Sequence, residues 1–335
     1  MNLPVSTPLR FLGLGWFSLV MGVGGLSLAW QRAVPVLGEL AGAVSMALSG
    51  LAGVIALVLA GASLLRWRRY PQALAEDLRH PVRHGFAATL PIGLLLLVTA
   101  ATAITGPSAL LKALWMAASV WQAWVTLWVL RRWLQPAKDG GLAWPVFNPI
   151  LILPVVGNVV PPLAGPSLGL GPWAAAQFGL GLFLWPVVIA LLAARIAVNG
   201  LWPERLLPTT FITVSPPSVV GLSLLQLGAP DAMAWGAWGI ALFFAAWSSG
   251  VLRRMFAQPF SLTFWALSFP MAAFSALTLR LAQDGPAWFQ AVAMILLALT
   301  SFIVVALVLA TFRGLRDRTL LAPEPVAALV PGAGA

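Results

Sequence analysis

Residues 264–275 read FWALSFPMAAFS, a stretch without a charge inside an apolar run that ends only at Arg280. Pro270 stands in the middle of it, directly after the bulky Phe269. Inside a helix a proline removes one amide and displaces the carbonyl four residues earlier, here that of Ala266, so the helix bends. In hydrocarbon the freed carbonyl needs a partner, which places such a bend against protein or beside a water-filled path. The surroundings of this stretch therefore decide what it is.

Of the 335 residues 60% are hydrophobic and 8% charged, against roughly 45–50% and about 25% in soluble domains. The chain reads as an all-α integral membrane protein. With no cysteine, disulfides and thiolate metal sites are excluded. A net charge of +10 suggests nucleic acid only where the basic residues share one solvated domain, and here they are scattered, so no nucleic-acid partner is expected; the partner is the lipid bilayer.

Polar breaks divide the chain into ten apolar spans of membrane-crossing length, at about 11–30, 40–65, 85–105, 108–130, 146–163, 173–194, 209–228, 232–252, 263–282 and 287–312. The first is too long for the core of a secretory signal and lacks a small-residue cleavage site. Residues 1–10 form a cytoplasmic N-terminus, 11–312 the membrane domain and 313–335 a short cytoplasmic tail, which is rich in Ala, Pro, Gly and Val from Ala322 and reads as disordered. Alternate loops place 16 of the 19 basic residues on one side, leaving Arg32, Lys112 and Arg280 on the other. The positive-inside rule then puts both termini in the cytoplasm of a multi-pass cell (inner) membrane protein.

All nine acidic residues fall in loops, at span ends or in the tail. Carboxylates, lysines and histidines at membrane depth are the usual marks of proton or cation coupling, and none is present. His80 and His84 have the i, i+4 spacing of a metal pair, but no third ligand accompanies them and Pro81 follows the first, so no metal or other cofactor is expected. The same inventory, with Tyr70 the single tyrosine, argues against an enzyme.

Helix breakers concentrate in the odd-numbered spans: Pro91 in the third, Pro154, Pro161 and Pro162 in the fifth, Pro216 and Pro217 in the seventh, Pro270 in the ninth, with Gly22, Gly24 and Gly25 in the first. Pro186 in the sixth is the exception. Odd spans all run in one direction, so five hairpins around an axis set the kinked helices inside and the straighter ones outside. The even spans suit lipid or subunit contact, the fourth carrying Trp121, Trp124 and Trp128 at helical spacing, with Trp115 also on it. On the odd spans the polar atoms are mostly hydroxyls and amides, many of which bond back to their own helix, while a minority are candidates to line a pore.

HPVR with Phe86 and Pro91 (80–91), VVGN (155–158), LPTTFITVSPPS (207–218) and FWALSFPM (264–271) resemble the corresponding segments of the tellurite-resistance/dicarboxylate transporter family, which includes bacterial TehA and the slow anion channels of plant guard cells. The similarity runs through all ten spans in order. It implies a homotrimer of independently conducting protomers, each a quasi-fivefold ring of helical hairpins around a central pore, with a phenylalanine of the ninth helix blocking it; by position that residue is Phe269. Pro270, Pro91, Pro154, Pro216 and Pro217 then support the gate as helix kinks, and Gly22, Phe86, Gly157, Asn158, Thr213, Ser218, Ser268, Ala272, Ala273 and Ala276 are the candidate pore-lining residues. A hydrophobic constriction without fixed charge gates by dewetting or by steric plugging. The function expected is passage of small inorganic anions, nitrate and chloride; the alternative is a carrier or efflux permease for dicarboxylates or oxyanions such as malate, tellurite or sulfite.

Overall fold

The computed structural model describes residues 8–136, 141, 143–283 and 285–322. Of the tail expected at 313–335 to be disordered, residues 313–316 are instead the last turn of the final helix, which ends at Arg316, and 323–335 lie outside the described residues. Thirteen α-helices follow in chain order: α1 Ser18–Arg32, α2 Val34–Leu37, α3 Glu39–Arg69, α4 Pro71–Arg79, α5 Thr89–Thr105, α6 Ala109–Trp133, α7 Leu153–Val156, α8 Gly171–Asn199, α9 Ser215–Gln226, α10 Asp231–Ser249, α11 Leu252–Phe256, α12 Ser268–Ala282 and α13 Ala287–Arg316. No strand occurs among the described residues.

Among the described residues eight helical segments are long and apolar enough to cross a membrane. Two expected spans fall outside that set. The span at 146–163 is the short, broken segment Pro149–Leu163, and α10 has its mean hydropathy lowered by Asp231, three tryptophans and two glycines. The crossing segments are of two kinds. Leu14–Arg32, Arg83–Thr105, Glu204–Gln226 and Leu262–Ala282 have 67%, 67%, 100% and 83% of their residues buried, against 17%, 39%, 22% and 28% for α3, α6, α8 and α13. The first four are therefore interior elements; the other four present apolar flanks outward, as helices bathed in lipid do. Trp121 and Trp124 are exposed as the sequence suggested, whereas Trp115 is fully buried.

Each interior element packs beside two others. α1 lies against α12 and α5, the 3-10 lead-in of α5 against α7, the 3-10 turns after α7 against α9, and α9 against α12. Each also packs on the long helix that follows it, α1 on α3, α5 on α6, α7 on α8, α9 on α10 and α12 on α13. Gly22 and Gly25 let α1 approach α12 closely: a Cβ at Gly22 would lie 2.2 Å from the Ser268 hydroxyl oxygen, and one at Gly25 2.9 Å from the Phe269 ring.

Sequence reading led to α-helices bent at their prolines. What forms instead is a change of helix type. The stretches Leu14–Phe17, Arg83–Ala88, Pro149–Ile152, Glu204–Val214 and Leu262–Leu267 are 3-10 helices, and each passes directly into α1, α5, α7, α9 or α12. Pro154 and Pro216 are second, and Pro91, Pro217 and Pro270 third, in their α-helices. In that first turn an amide has no intrahelical α-type partner to lose, so the proline marks where the α-helix begins. α1 makes the same transition without proline. Pro186 sits inside α8, which continues through it.

Four of the five transitions begin on a hydroxyl residue. Ser18, Thr89, Ser215 and Ser268 donate to the carbonyls of Gly15, Phe86, Ile212 and Trp265 at 2.7, 2.7, 2.9 and 2.6 Å. Each satisfies a carbonyl where the pattern switches from i−3 to i−4 bonding, which an apolar setting requires. In α7 the position is Leu153, and help comes from outside: Gln122 of α6 donates to Pro154 O at 2.8 Å, Thr126 also donates there, and the Asn158 amide reaches Val155 O at 2.9 Å.

A polar cap closes the arginine-rich end. Asp77 of α4, 2% exposed, takes Arg83 at 2.7 Å through Oδ1. Its Oδ2 lies 2.7 Å from the buried Arg66 as a charge contact without hydrogen-bond alignment, and Arg66 Nε donates to Arg10 O at 2.9 Å. The cap thus ties α3, α4 and the chain start to the 3-10 stretch that carries Phe86.

Candidate conduction pathway

Two cavities lie among the interior elements. One takes residues from α7 and from each of the four interior elements, among them Ser18, Thr89, Leu153, Ser215 and Phe269. The other lies among Ile92, Val156, Gly157, Val160 and Val219. Four side chains line both: Met21 of α1, Leu153 of α7, Ser215 of α9 and Phe269 of α12. These four shared lining residues are termed the collar. Phe269 is 8% exposed, its ring resting on the backbone of Gly25 where a Cβ would collide with it.

The first cavity carries the hydroxyls of Ser18, Thr89, Thr209, Ser215 and Thr263; the second has only that of Ser215. Every one of these hydroxyls is already engaged as a donor to a backbone carbonyl: Thr209 to Leu206 O at 2.6 Å and Thr263 to Arg205 O at 2.8 Å, the remaining three as described above. No ionisable side chain lines either cavity. The path offers oxygen lone pairs and apolar surface, and few uncommitted protons.

Of the residues singled out from sequence, Phe86, Phe269 and Pro270 line the first cavity, and Gly157, Pro216 and Phe269 the second. The other candidates line neither. Gly22 faces Ser268 and Trp265 in the α1–α12 contact. Asn158 is fully buried and turned toward the outer helices, donating to Thr126 Oγ1 at 2.7 Å and accepting from Gln177 Nε2 of α8 at 3.0 Å. Thr213 and Ser218 donate to Thr210 O and Val214 O at 2.8 and 2.7 Å. Ser268, Ala272, Ala273 and Ala276 are buried in helix packing, as are Pro91, Pro154 and Pro217. Met21, Leu153 and Ser215 were not among the sequence candidates. Ser215 had a signal, its place as a hydroxyl beside a proline where the α-helix starts; the aliphatic pair had none beyond general hydrophobicity.

At the arginine-rich rim, His80 Nδ1 accepts from the amides of Val82 and Arg83 at 3.1 and 3.2 Å. Burial first, and the charge of Arg83 second, push its pKa down to about 4. The imidazole is thus a neutral turn acceptor. His84 Nδ1 lies 2.9 Å from His80 O and its ring meets Trp128 edge-on at 6.0 Å. No group of three or more His, Cys, Asp or Glu suited to a metal ion occurs among the described residues.

Comparison with known proteins adds the following. The family model described as SLAC1, voltage-dependent anion channel, matches residues 12–312. An uncharacterised transporter of Methanocaldococcus jannaschii is 25% identical over 293 residues, 78% of this chain and 82% of its own. The S-type anion channel SLAH3 of Arabidopsis thaliana is 31% identical over 170 residues, 50% of this chain and 26% of its own. The sulfite efflux pump SSU1 of Trichophyton rubrum is 20% identical over 309 residues, 81% of each chain. The matched region is thus a minor part of the plant protein but most of the other two.

Proposed function

The chain belongs to the SLAC1 family of voltage-dependent anion channels, and on that premise we propose that it is a passive channel for small monovalent anions, nitrate and chloride, with Phe269 as its gate. The observation that carries this reading is the collar: Phe269 borders both cavities, so its ring stands where a continuous path would run. In this reading the segment Pro149–Leu163 and α10 complete a set of ten crossings. These pair as five hairpins, and the packing sequence α1, α5, α7, α9, α12 and back to α1 is a quasi-fivefold ring around the path.

The absence of ionisable groups from both cavities favours passive flow over proton- or cation-coupled transport. A second reading, a carrier or efflux permease for oxyanions or dicarboxylates, is favoured by the extent of the match to the sulfite efflux pump. Purified protein in liposomes separates the two: unitary anion currents establish the channel, whereas slow, saturable, pH-dependent flux without unitary events overturns it. The proposed assembly is a homotrimer in the inner membrane through the exposed faces of the outer helices. Native mass spectrometry in mild detergent tests it, a monomer at every detergent concentration removing the claim. Both termini are assigned to the cytoplasm, so a periplasm-active phosphatase inserted after Asp231 should be active; an inactive fusion reverses the orientation.

A further inference from the structure

At the arginine-rich end α4 bridges the ends of α3 and α6. Arg66 of α3 donates to Ala73 O near the start of α4 at 3.2 Å, and Arg132 of α6 donates to Leu78 O and Arg79 O at its far end at 2.6 and 3.0 Å. With nine residues, α4 is about 14 Å long and holds the two outer helices apart. α5 packs on both α3 and α6, whereas among the described residues these two share no extensive contact with each other. The result is a groove between α3 and α6, floored by α5 and closed at one end by α4. Its floor is apolar. Leu90, Leu94, Leu97 and Ala101 are partly exposed and recur at i, i+4, i+7 and i+11, on a different face of α5 from Thr89 and Ile92, which line the cavities.

Four exposed arginines stand at the closed end: Arg68 and Arg69 in the last turn of α3, Arg79 at the end of α4 and Arg131 in the last turn of α6. The hydrogen bonds of α4 bring them to one place, since Arg132, next to Arg131, grips the backbone of Arg79, and Arg66, one turn before Arg69, grips that of Ala73. Among the described residues no carboxylate pairs with any of the four: Asp77 is taken by Arg66 and Arg83, and the exposed Glu76 makes no ion pair. Trp67 and Trp124, 54% and 58% exposed, flank them, and Trp124 stacks on Trp128, over which the Arg132 guanidinium lies. Exposed tryptophans sit at headgroup depth, arginines there attract anionic lipid, and the guanidinium fork matches phosphate oxygens. Unpaired positive charge above an apolar stripe is complementary to a phospholipid. A soluble anion would leave the stripe uncovered, and a second copy of this chain would bring a basic rim of its own to the same level.

We propose that the groove between α3 and α6 binds an anionic phospholipid of the leaflet at the arginine-rich end, its phosphate on Arg68, Arg69, Arg79 and Arg131 and an acyl chain along the apolar stripe of α5. The site needs only a chain that spans a bilayer, so it stands apart from the choice between channel and carrier. Phosphatidylglycerol is the probe and phosphatidylcholine the reference. Full-length protein, purified in mild detergent and stripped of lipid, is heated in mixed micelles of rising phospholipid content. Ligand that binds the folded state raises the melting temperature, so wild type should show a saturable rise that is half-complete at several-fold less phosphatidylglycerol than phosphatidylcholine. The combined variant Arg68→Gln, Arg69→Gln, Arg79→Gln, Arg131→Gln should lose that preference. A control, Arg253→Gln, Arg313→Gln, Arg316→Gln, Arg318→Gln, removes the same charge from exposed arginines outside the groove and should keep it. Leu94→Trp fills the groove without altering charge and should raise the half-saturating phosphatidylglycerol several-fold, which keeps the site testable should the four-glutamine variant fold poorly. Equal responses to the two lipids in wild type, or an equal loss of preference in both arginine variants, overturns the site, the second outcome showing attraction by net charge alone. An equal rise with inorganic phosphate would make it a free-anion site, and an oligomer broken by Leu94→Trp with no lipid preference would make the groove a subunit contact; either result overturns the lipid.

Discussion

At the scale of single residues, Phe269 lines both cavities, and its packing differs from that of an ordinary core phenylalanine. A fully packed ring truncated to alanine costs about 3–5 kcal/mol, because the cavity left behind loses its contacts. Phe269 already borders space on two sides, so Phe269→Ala should cost less than that range and should join the two cavities. The expected outcome is a normally assembled protein with anion conductance several-fold above wild type. Phe274, one and a half turns further along α12, is 2% exposed and packs its ring 6.1 Å from that of Trp238 on the outer helix α10. Phe274→Ala should therefore lose stability without gaining conductance. Single-channel recording paired with thermal unfolding checks both variants, and a well-folded Phe269→Ala with unchanged conductance would falsify the gate assignment.

At the scale of elements, α7 is a single turn that draws hydrogen bonds from its neighbours. Its four residues lie between 3-10 turns, and the amides of Gln122, Asn158 and Gln177 tie it to α6 and α8. Asn158→Ala removes donors to Pro154 O and Val155 O and an acceptor for Gln177, all buried. Leaving such groups unmatched costs about 1–3 kcal/mol, and Leu153, Val156 and Gly157 of the path wall lose their backing. A lower melting temperature with altered conductance is expected, while Thr99→Ala, whose hydroxyl only bonds back to Leu95 O of its own helix, should match wild type. Equal melting temperatures for Asn158→Ala and wild type would sink the clamp. This element also shows what the sequence could and could not convey. Eight of the ten expected crossing segments were legible, because apolar length is a local property. The 3-10 geometry was not, since the choice between i−3 and i−4 bonding depends on tertiary packing. Asn158 was expected in the pore because an amide in an apolar span suggests a polar path; its partners, Gln122 and Gln177, sit on outer helices and turn it the other way. Arg66 and Arg83 were read among the basic residues that set topology and Asp77 among the acidic residues outside the spans, and their pairing needed the fold of α4 over α3.

At the scale of the whole molecule, two condition-dependent properties follow from how charge is distributed. The first is acid stability. His80 is neutral in the fold and its pKa is lowered from 6.5 to about 4, so the unfolded chain binds the proton more readily than the folded one. Stability from this group is complete above pH 6.5 and is lost as pH falls toward 4. Protonation of Nδ1 also removes the acceptor for the Val82 and Arg83 amides. His80→Asn, which keeps an acceptor that does not titrate there, should flatten the melting temperature between pH 6.5 and 4; a slope as steep as that of wild type would show that another group controls it. The second is selectivity. In the proposed channel reading an ion at the collar would meet Met21, Leu153, Phe269 and the hydroxyl of Ser215, whose proton is engaged by Ile212 O. No fixed charge there repays the water that the ion sheds, so permeability should follow the cost of dehydration, and nitrate, the more weakly hydrated anion, should pass more readily than chloride. Under bi-ionic conditions the reversal potential should therefore report nitrate over chloride. Equal or reversed permeability in wild type would mean that the collar holds a specific site for chloride and that dehydration does not govern passage.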